Sequence, residues 1–231
     1  MPGFPAGTFG FKSGSFMASS DSVMIAVKGR GGHGSAPHLS NDPVVAAAHI
    51  ILALQTIVSR NVDPLHTAVV TVGALHAGQA NNVIPALATM ELSVRALDPQ
   101  VRQLLEQRIK ALVAAQAESF GVRAEVAWRQ GYCVLVNHLE QTNFARQVAL
   151  NLVGPERVTL NGPQLTGSED FAFMLEKVPG SYILVGNGGP GTPGACMVHN
   201  PGYDFNDEII EPGSRFWAGL VCEYLKEPAA S

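Results

Sequence analysis

A chain of 231 residues can form one large domain or two ordinary ones, and with 46% apolar and 15% charged residues it reads as globular and not disordered. A net charge of -4 and a pI near 5.9, with Lys and Arg scattered, give no electrostatic footprint for nucleic acid or an anionic membrane. Cys133, Cys196 and Cys222 lie far apart without a Cys-x-x-Cys pair, which points to a reducing compartment and away from a cysteine-cluster zinc site.

The opening MPGFPAGTFGFKSG is rich in Pro and Gly and has no apolar core behind an early positive charge, so it does not read as a signal peptide. The longest apolar run, VVAAAHIILALQTIV, is interrupted by His49 and Gln55 and falls short of the roughly 20 residues of a membrane span. The expectation is a cytoplasmic protein with no membrane partner.

Residues 22–129 carry a weak internal repeat. The alternating run SVMIAVKG leads through the glycine-rich GRGGHGSAPH to a helix over NDPVVAAAHIILALQTIVSR, then to a strand over TAVVTVGALHAG. A strand over ATMELSVRAL follows, then a helix over DPQVRQLLEQRIKALVAAQAESFG and a strand over VRAEVAW. Both helices begin Asp-Pro: the carboxylate can cap free N–H groups, and proline at the first helical position forfeits no hydrogen bond. In the second helix Val101, Leu104, Leu105, Ile109 and Leu112 share one face, Arg102, Gln103, Glu106 and Lys110 the other, and Gly121 is placed to end it. Met90, Leu92 and Val94 alternate with Glu91, Ser93 and Arg95, so one sheet face is polar. Two βαβ halves with short links predict a ferredoxin-like βαββαβ sandwich. The first strand or its partner is expected at an open edge that invites pairing with another copy.

After Trp128 the character changes. RQGYCVLVN reads as a connector, EQTNFARQVALNLVG as a helix, and GSEDFAFMLEKV as a helix starting at Ser168, with Glu169 and Asp170 in its first turn. SYILVG is a short buried strand, NGGPGTPGACMVHNPGYDFND a long loop of functional type, and GSRFWAGLVCEYL a last helix. This half has alternating α and β pieces but too few strands for a full sheet.

GNGGPG matches the dinucleotide pattern G-x-G-x-x-G, but Thr192, Pro193 and Gly194 follow where a helix has to open, which argues against a nucleotide site. There is no G-x-S-x-G elbow, no H-E-x-x-H helix and no cysteine in a recognisable catalytic context. His199 leaves an apolar segment into a Pro-Gly loop, where a ring can be fixed with one nitrogen toward a cleft; a histidine satisfied by a carbonyl or by Asp204 is the plainer alternative. His33 in its glycine bend is either catalytic or simply solvated, and His49 on an apolar helix is expected to be packed. Asn82 and Arg95 could converge on a carboxylate, the guanidinium offering a two-pronged match, or be a turn-capping Asn and a solvated strand Arg.

Taken together, GRGGHGSAPH, the helix-opening DP, NNVIP, SVRALD, TGSEDFAFM and VHNPGYDFND stand in the order seen in the metal-dependent aminoacylase and carboxypeptidase family. The chain most resembles the hippurate hydrolase or N-acyl-amino-acid amidohydrolase branch of that family, over essentially all 231 residues. The resemblance implies an α/β protein: a ferredoxin-like lid and dimerisation domain over residues 21–129, set into an incomplete metallo-aminopeptidase-like catalytic domain. Residues 1–20 would end the N-terminal half of that catalytic domain and 130–231 form its C-terminal part. Members hydrolyse the amide bond of N-acyl amino acids with two divalent ions, of the Zn, Mn, Co or Ni kind, and a bridging water.

On matching positions His199 resembles the last metal ligand. His33 resembles the lid histidine that reaches into a partner subunit's site and stabilises the oxyanion. Asn82 and Arg95 resemble the lid residues that bind the substrate's carboxylate across a homodimer. The family draws its other metal ligands and its base from H-x-D, C-G-H-D and Glu-Glu motifs before the lid, and none stands in this sequence. The chain thus resembles the C-terminal portion of such an enzyme and is expected to be inactive alone. The connector also departs from the family's Tyr-Pro-x-x-x-Asn-Asp, with Cys133 and His138 at two of those places. The rival reading is a non-catalytic, dimerising or ligand-binding ferredoxin-like module with a vestigial catalytic tail.

Overall fold

The Asp-Pro pairs at 42–43 and 98–99 each start a helix, whereas Asp63-Pro64 forms only a turn before the next strand. In the computed structural model, which describes residues 1–226, Asp42 Oδ1 accepts the Val44 N–H at 2.8 Å, and Asp98 Oδ1 accepts those of Gln100 and Val101 at 2.7 and 3.1 Å. Such a cap contributes about 1 kcal/mol and fixes where the helix begins.

The elements in chain order are β1 (Phe9–Gly10), β2 (Gly14–Met17), β3 (Asp21–Lys28), β4 (Gly32–His33), α1 (Pro43–Asn61), β5 (Ala68–Ala77), β6 (Val83–Ile84), β7 (Leu87–Ala96) and α2 (Pro99–Ser119). They continue with β8 (Arg123–Gln130), β9 (Leu135–Asn137), α3 (Leu139–Val153), β10 (Val158–Thr159), α4 (Phe171–Leu175), β11 (Leu184–Val185) and α5 (Ile210–Tyr224). Two units result. A sheet unit holds Met17–Leu135 and Leu165–Ala172; a terminal unit holds Met1–Phe16, Val136–Gln164 and the chain from Phe173 onward. Leu165–Ala172 therefore sits with the sheet unit and not with the rest of 130–231. Ala18 N donates to Leu165 O and Gly167 O at 3.1 and 2.9 Å.

The sheet unit is the ferredoxin-like sandwich. Its sheet runs β5-β7-β3-β8, every neighbouring pair antiparallel. The first of its long strands, β3, is paired on both sides, so the edges are β5 and β8. Period-2 alternation sends Val23, Ile25 and Val27 of β3 and Met90, Leu92 and Val94 of β7 into one core. Against them α1 packs Ala46, Ala47, Ile50, Leu54 and Ile57, and α2 packs Val101, Leu105, Ile109, Val113 and Ala117. Leu104 and Leu112 border this stripe, half-buried. Gly121, at φ 65°, follows the end of α2 as expected. The 19 residues of α1 are long and apolar enough by length and composition to cross a membrane, more than the interrupted run suggested, but one face is committed to this core. His49, expected to be packed, is exposed on that helix and lies against the Phe120 ring, centroids 4.7 Å apart.

One charge is buried here. Asp21 accepts Arg102 Nε at 2.8 Å and Nη2 at 2.5 Å, together with the Gly131 N–H at 3.1 Å. That two-pronged bond raises the Arg102 pKa above its ordinary value, against the opposing effect of burial.

The terminal unit is thinner. β1 pairs parallel with β10 and antiparallel with β11, each a two-residue strand. Phe9, Phe11 and Phe216 cluster with Ala145, Val148, Ala149 and Val158, joining α3 and α5 to that small sheet. Asn137, buried, donates to Lys12 O and Tyr182 O and accepts the Tyr182 N–H, tying three segments together.

Candidate active site

The glycines around His33 are explained by how closely two backbones approach. Gly32 and His33 pair antiparallel with Ile84 and Val83, and Gly34 donates to Asn82 O at 2.8 Å. A Cβ on Gly31 would stand 2.6 Å from Ile84 O, and one on Gly34 would stand 3.1 Å from the Asn82 carbonyl. Larger residues would force the strands apart. This short ladder brings His33 and Asn82, about 50 positions apart in sequence, side by side at one end of the sheet unit, both exposed.

Arg95 is elsewhere. It lies near the far end of β7, opposite Val69 on β5, and eight residues of strand separate it from Leu87, about 26 Å at the usual rise. Its Nη1 donates to Thr166 O at 3.0 Å. The expected convergence of Asn82 and Arg95 on one carboxylate does not occur within one chain, because the antiparallel run of β7 carries them to opposite ends of the sheet.

His199 sits in the loop between β11 and α5 with φ 67°, the one positive-φ non-glycine residue among the described residues. An L-residue held there costs free energy, and such positions cluster at functional sites. Its ring has no hydrogen-bond partner among the described residues, so neither a carbonyl nor Asp204 satisfies it. The base of the loop is held by Asn187, 1% exposed. Asn187 Nδ2 donates to Gly194 O and Asp204 O at 3.1 and 2.9 Å, and its Oδ1 accepts the Asn206 N–H at 2.9 Å. Asn206 Nδ2 returns a bond to Asn187 O at 3.0 Å. Sequence reasoning passed over Asn187; its one signal was an amide inside GNGGPG, where any larger residue flanking it would collide. A Cβ on Gly186 would meet Pro5 O at 2.0 Å. These glycines serve close packing, and a 3-10 turn over Pro193–Ala195 follows them in place of a phosphate-binding helix.

Ser168 does not cap a helix. The chain turns helical at Phe171, and Glu169 Oε1 takes the neighbouring Asp170 N–H at 3.1 Å. No group of three or more His, Cys, Asp or Glu side chains among the described residues is arranged to hold a metal ion. His199 alone cannot hold a catalytic metal, which needs several protein ligands and an open position. The residues described here do not fit a metal centre by themselves.

The peptidase dimerisation domain matches residues 17–120. The chain is 41% identical over 218 residues to hippurate hydrolase of Campylobacter jejuni, covering 94% of this chain and 56% of that protein. It is 36% identical over 219 residues to N-acetyl-L-cysteine deacetylase of Bacillus subtilis, covering 93% and 50%. A crystal structure from Bacillus subtilis, described as a dinuclear metal binding peptidase from the M20 family, superposes with a TM-score of 0.78 at 30% identity over 97% of this chain and 55% of that one. The chain spans about half the length of the curated relatives it matches.

Proposed function

The chain belongs to the M20 amidohydrolase family, and from that premise we propose that the whole protein hydrolyses the amide bond of N-acyl amino acids with an aromatic or small acyl group, as a cytoplasmic homodimer joined through the sheet unit. It would work with two divalent ions of the Zn, Mn, Co or Ni kind. His199 would supply one ligand of that centre, the others coming from outside the residues described here.

The observation that carries this reading is the ladder that sets His33 beside Asn82. Amide hydrolysis passes through a tetrahedral intermediate whose oxygen becomes negative, and a fixed N–H donor aimed at that oxygen speeds the reaction. His33 supplies such a donor; the Asn82 amide holds the substrate's carboxylate. Arg95 is too far along β7 to touch the same small substrate from the same chain. If both residues serve one substrate, two copies of the chain supply them, and that is a reason for the enzyme to be a dimer.

The test mixes this chain with a polypeptide matching the first half of its relatives and measures release of glycine from hippurate and of acetate from N-acetyl amino acids. Turnover is expected only in the mixture, and His33→Ala is expected to lower kcat by about 10²- to 10³-fold. Turnover by the chain alone, or full activity of the His33 variant, overturns the assignment. No turnover in a properly folded mixture favours the non-catalytic module instead.

A further inference from the structure

The imidazole of His33 is held through one nitrogen. The turn that follows β4 closes with Ala36 N donating to His33 O at 2.9 Å, which folds Ser35 back over the ring. The Ser35 backbone N–H then donates to His33 Nδ1 at 3.1 Å, and Ser35 Oγ stands 2.8 Å from the same atom. A backbone amide can only donate, so Nδ1 has to be the acceptor and cannot carry a proton while this contact exists. The neutral ring therefore bears its hydrogen on Nε2, and the rotatable Ser35 hydroxyl has its own hydrogen free to reinforce the same choice. Nε2 meets no hydrogen-bond partner among the described residues.

We propose that Ser35 is the positioning residue of His33: its amide and hydroxyl keep Nδ1 unprotonated and leave Nε2–H as the donor that faces outward. The functional value of this arrangement rests on the proposed role of His33 at the oxyanion. A histidine in the opposite tautomer would present a lone pair where a negative oxygen develops, and would repel it.

The experiment is ¹⁵N NMR of the 231-residue chain with labelled histidine, the His33 signals being assigned by their loss in His33→Gln. Above the histidine titration range, wild-type chain is expected to show an unprotonated Nδ1 and a protonated Nε2. Ser35→Ala keeps the backbone amide and removes the hydroxyl, and is expected to shift the tautomer ratio toward Nδ1–H about fivefold, the worth of one ordinary hydrogen bond. Ser35→Thr, which retains the hydroxyl, is expected to restore the wild-type ratio. A protonated Nδ1 in wild type overturns the proposal. A ratio unmoved by Ser35→Ala, or a threonine variant that behaves like alanine, overturns the part played by the side chain. Ser35 is exposed, so these variants keep the fold, which the amide spectrum checks directly. The tautomer is read without substrate. A correct tautomer combined with an active His33→Ala enzyme would sink the catalytic role and leave the positioning intact.

Discussion

The two units of this chain differ in how completely they bury their apolar residues. The sheet unit has a continuous core in which two helices cover one face of a four-stranded sheet, with Ile25, Ile50, Leu54, Met90, Leu105 and Ile109 fully buried. The terminal unit has a small cluster around Phe9, Phe11 and Phe216, while α5 leaves Trp217 at 66% exposed and Tyr224 at 78%, and Met174 and Val178 are also exposed. The difference teaches where folding free energy is concentrated: the sheet unit has the larger buried apolar cluster, and the terminal unit, with the smaller one, is expected to open first.

The strongest way to break that comparison is to attack the sheet unit at its buried charge. Arg102→Leu strips Asp21 of its two-pronged partner and leaves a carboxylate 2% exposed without a counter-charge. A loss of about 3–5 kcal/mol is expected in urea unfolding. A loss under 1 kcal/mol would mean that water reaches Asp21 and that this core is looser than described.

A smaller and more local effect is expected from Asn187→Ala. It leaves two carbonyls and the Asn206 N–H without their partner, at about 1–3 kcal/mol, felt in the terminal unit. Hydrogen exchange should rise across residues 188–206 while β3 and β7 keep their protection. Equal loosening of both units would show that they unfold as one and would erase the distinction.

The smallest expected effect sharpens the comparison from the other side. Trp217→Ser removes a large ring that the described residues leave mostly exposed, so stability should change by no more than about 0.5 kcal/mol. A loss above 2 kcal/mol would place Trp217 in a core.

Much of the sheet unit was legible in advance because its signals are local. Asp42 and Asp98 cap within three residues of themselves, Val23, Ile25 and Val27 alternate on one strand, and Val101, Leu105 and Ile109 recur at helical spacing. The helix expected from Ser168 failed because a capping residue only permits a helix. The five residues of α4 have no long amphipathic stripe to sustain an earlier start, and Glu169 satisfied the nearby amide instead. His33, Asn82, Arg95 and His199 were all marked as candidates by residue type and neighbourhood, but their grouping was not readable. Two residues about 50 positions apart become neighbours through β4–β6, while two only 13 apart are carried to opposite ends of a strand.

By itself, then, the sequence determined the two Asp-Pro helix starts, the alternating strands of the sheet unit, the ferredoxin-like order of elements and the family. These are written in spacings of two to four residues or in ordered motifs. Only the tertiary structure decided that His33 sits against Asn82 and not Arg95, and that Asn187 pins the loop carrying His199. Each of these depends on where backbones meet after the chain has folded, at glycines that admit a neighbouring strand or in a loop closed by one buried amide. Such contacts leave no periodic trace along the sequence.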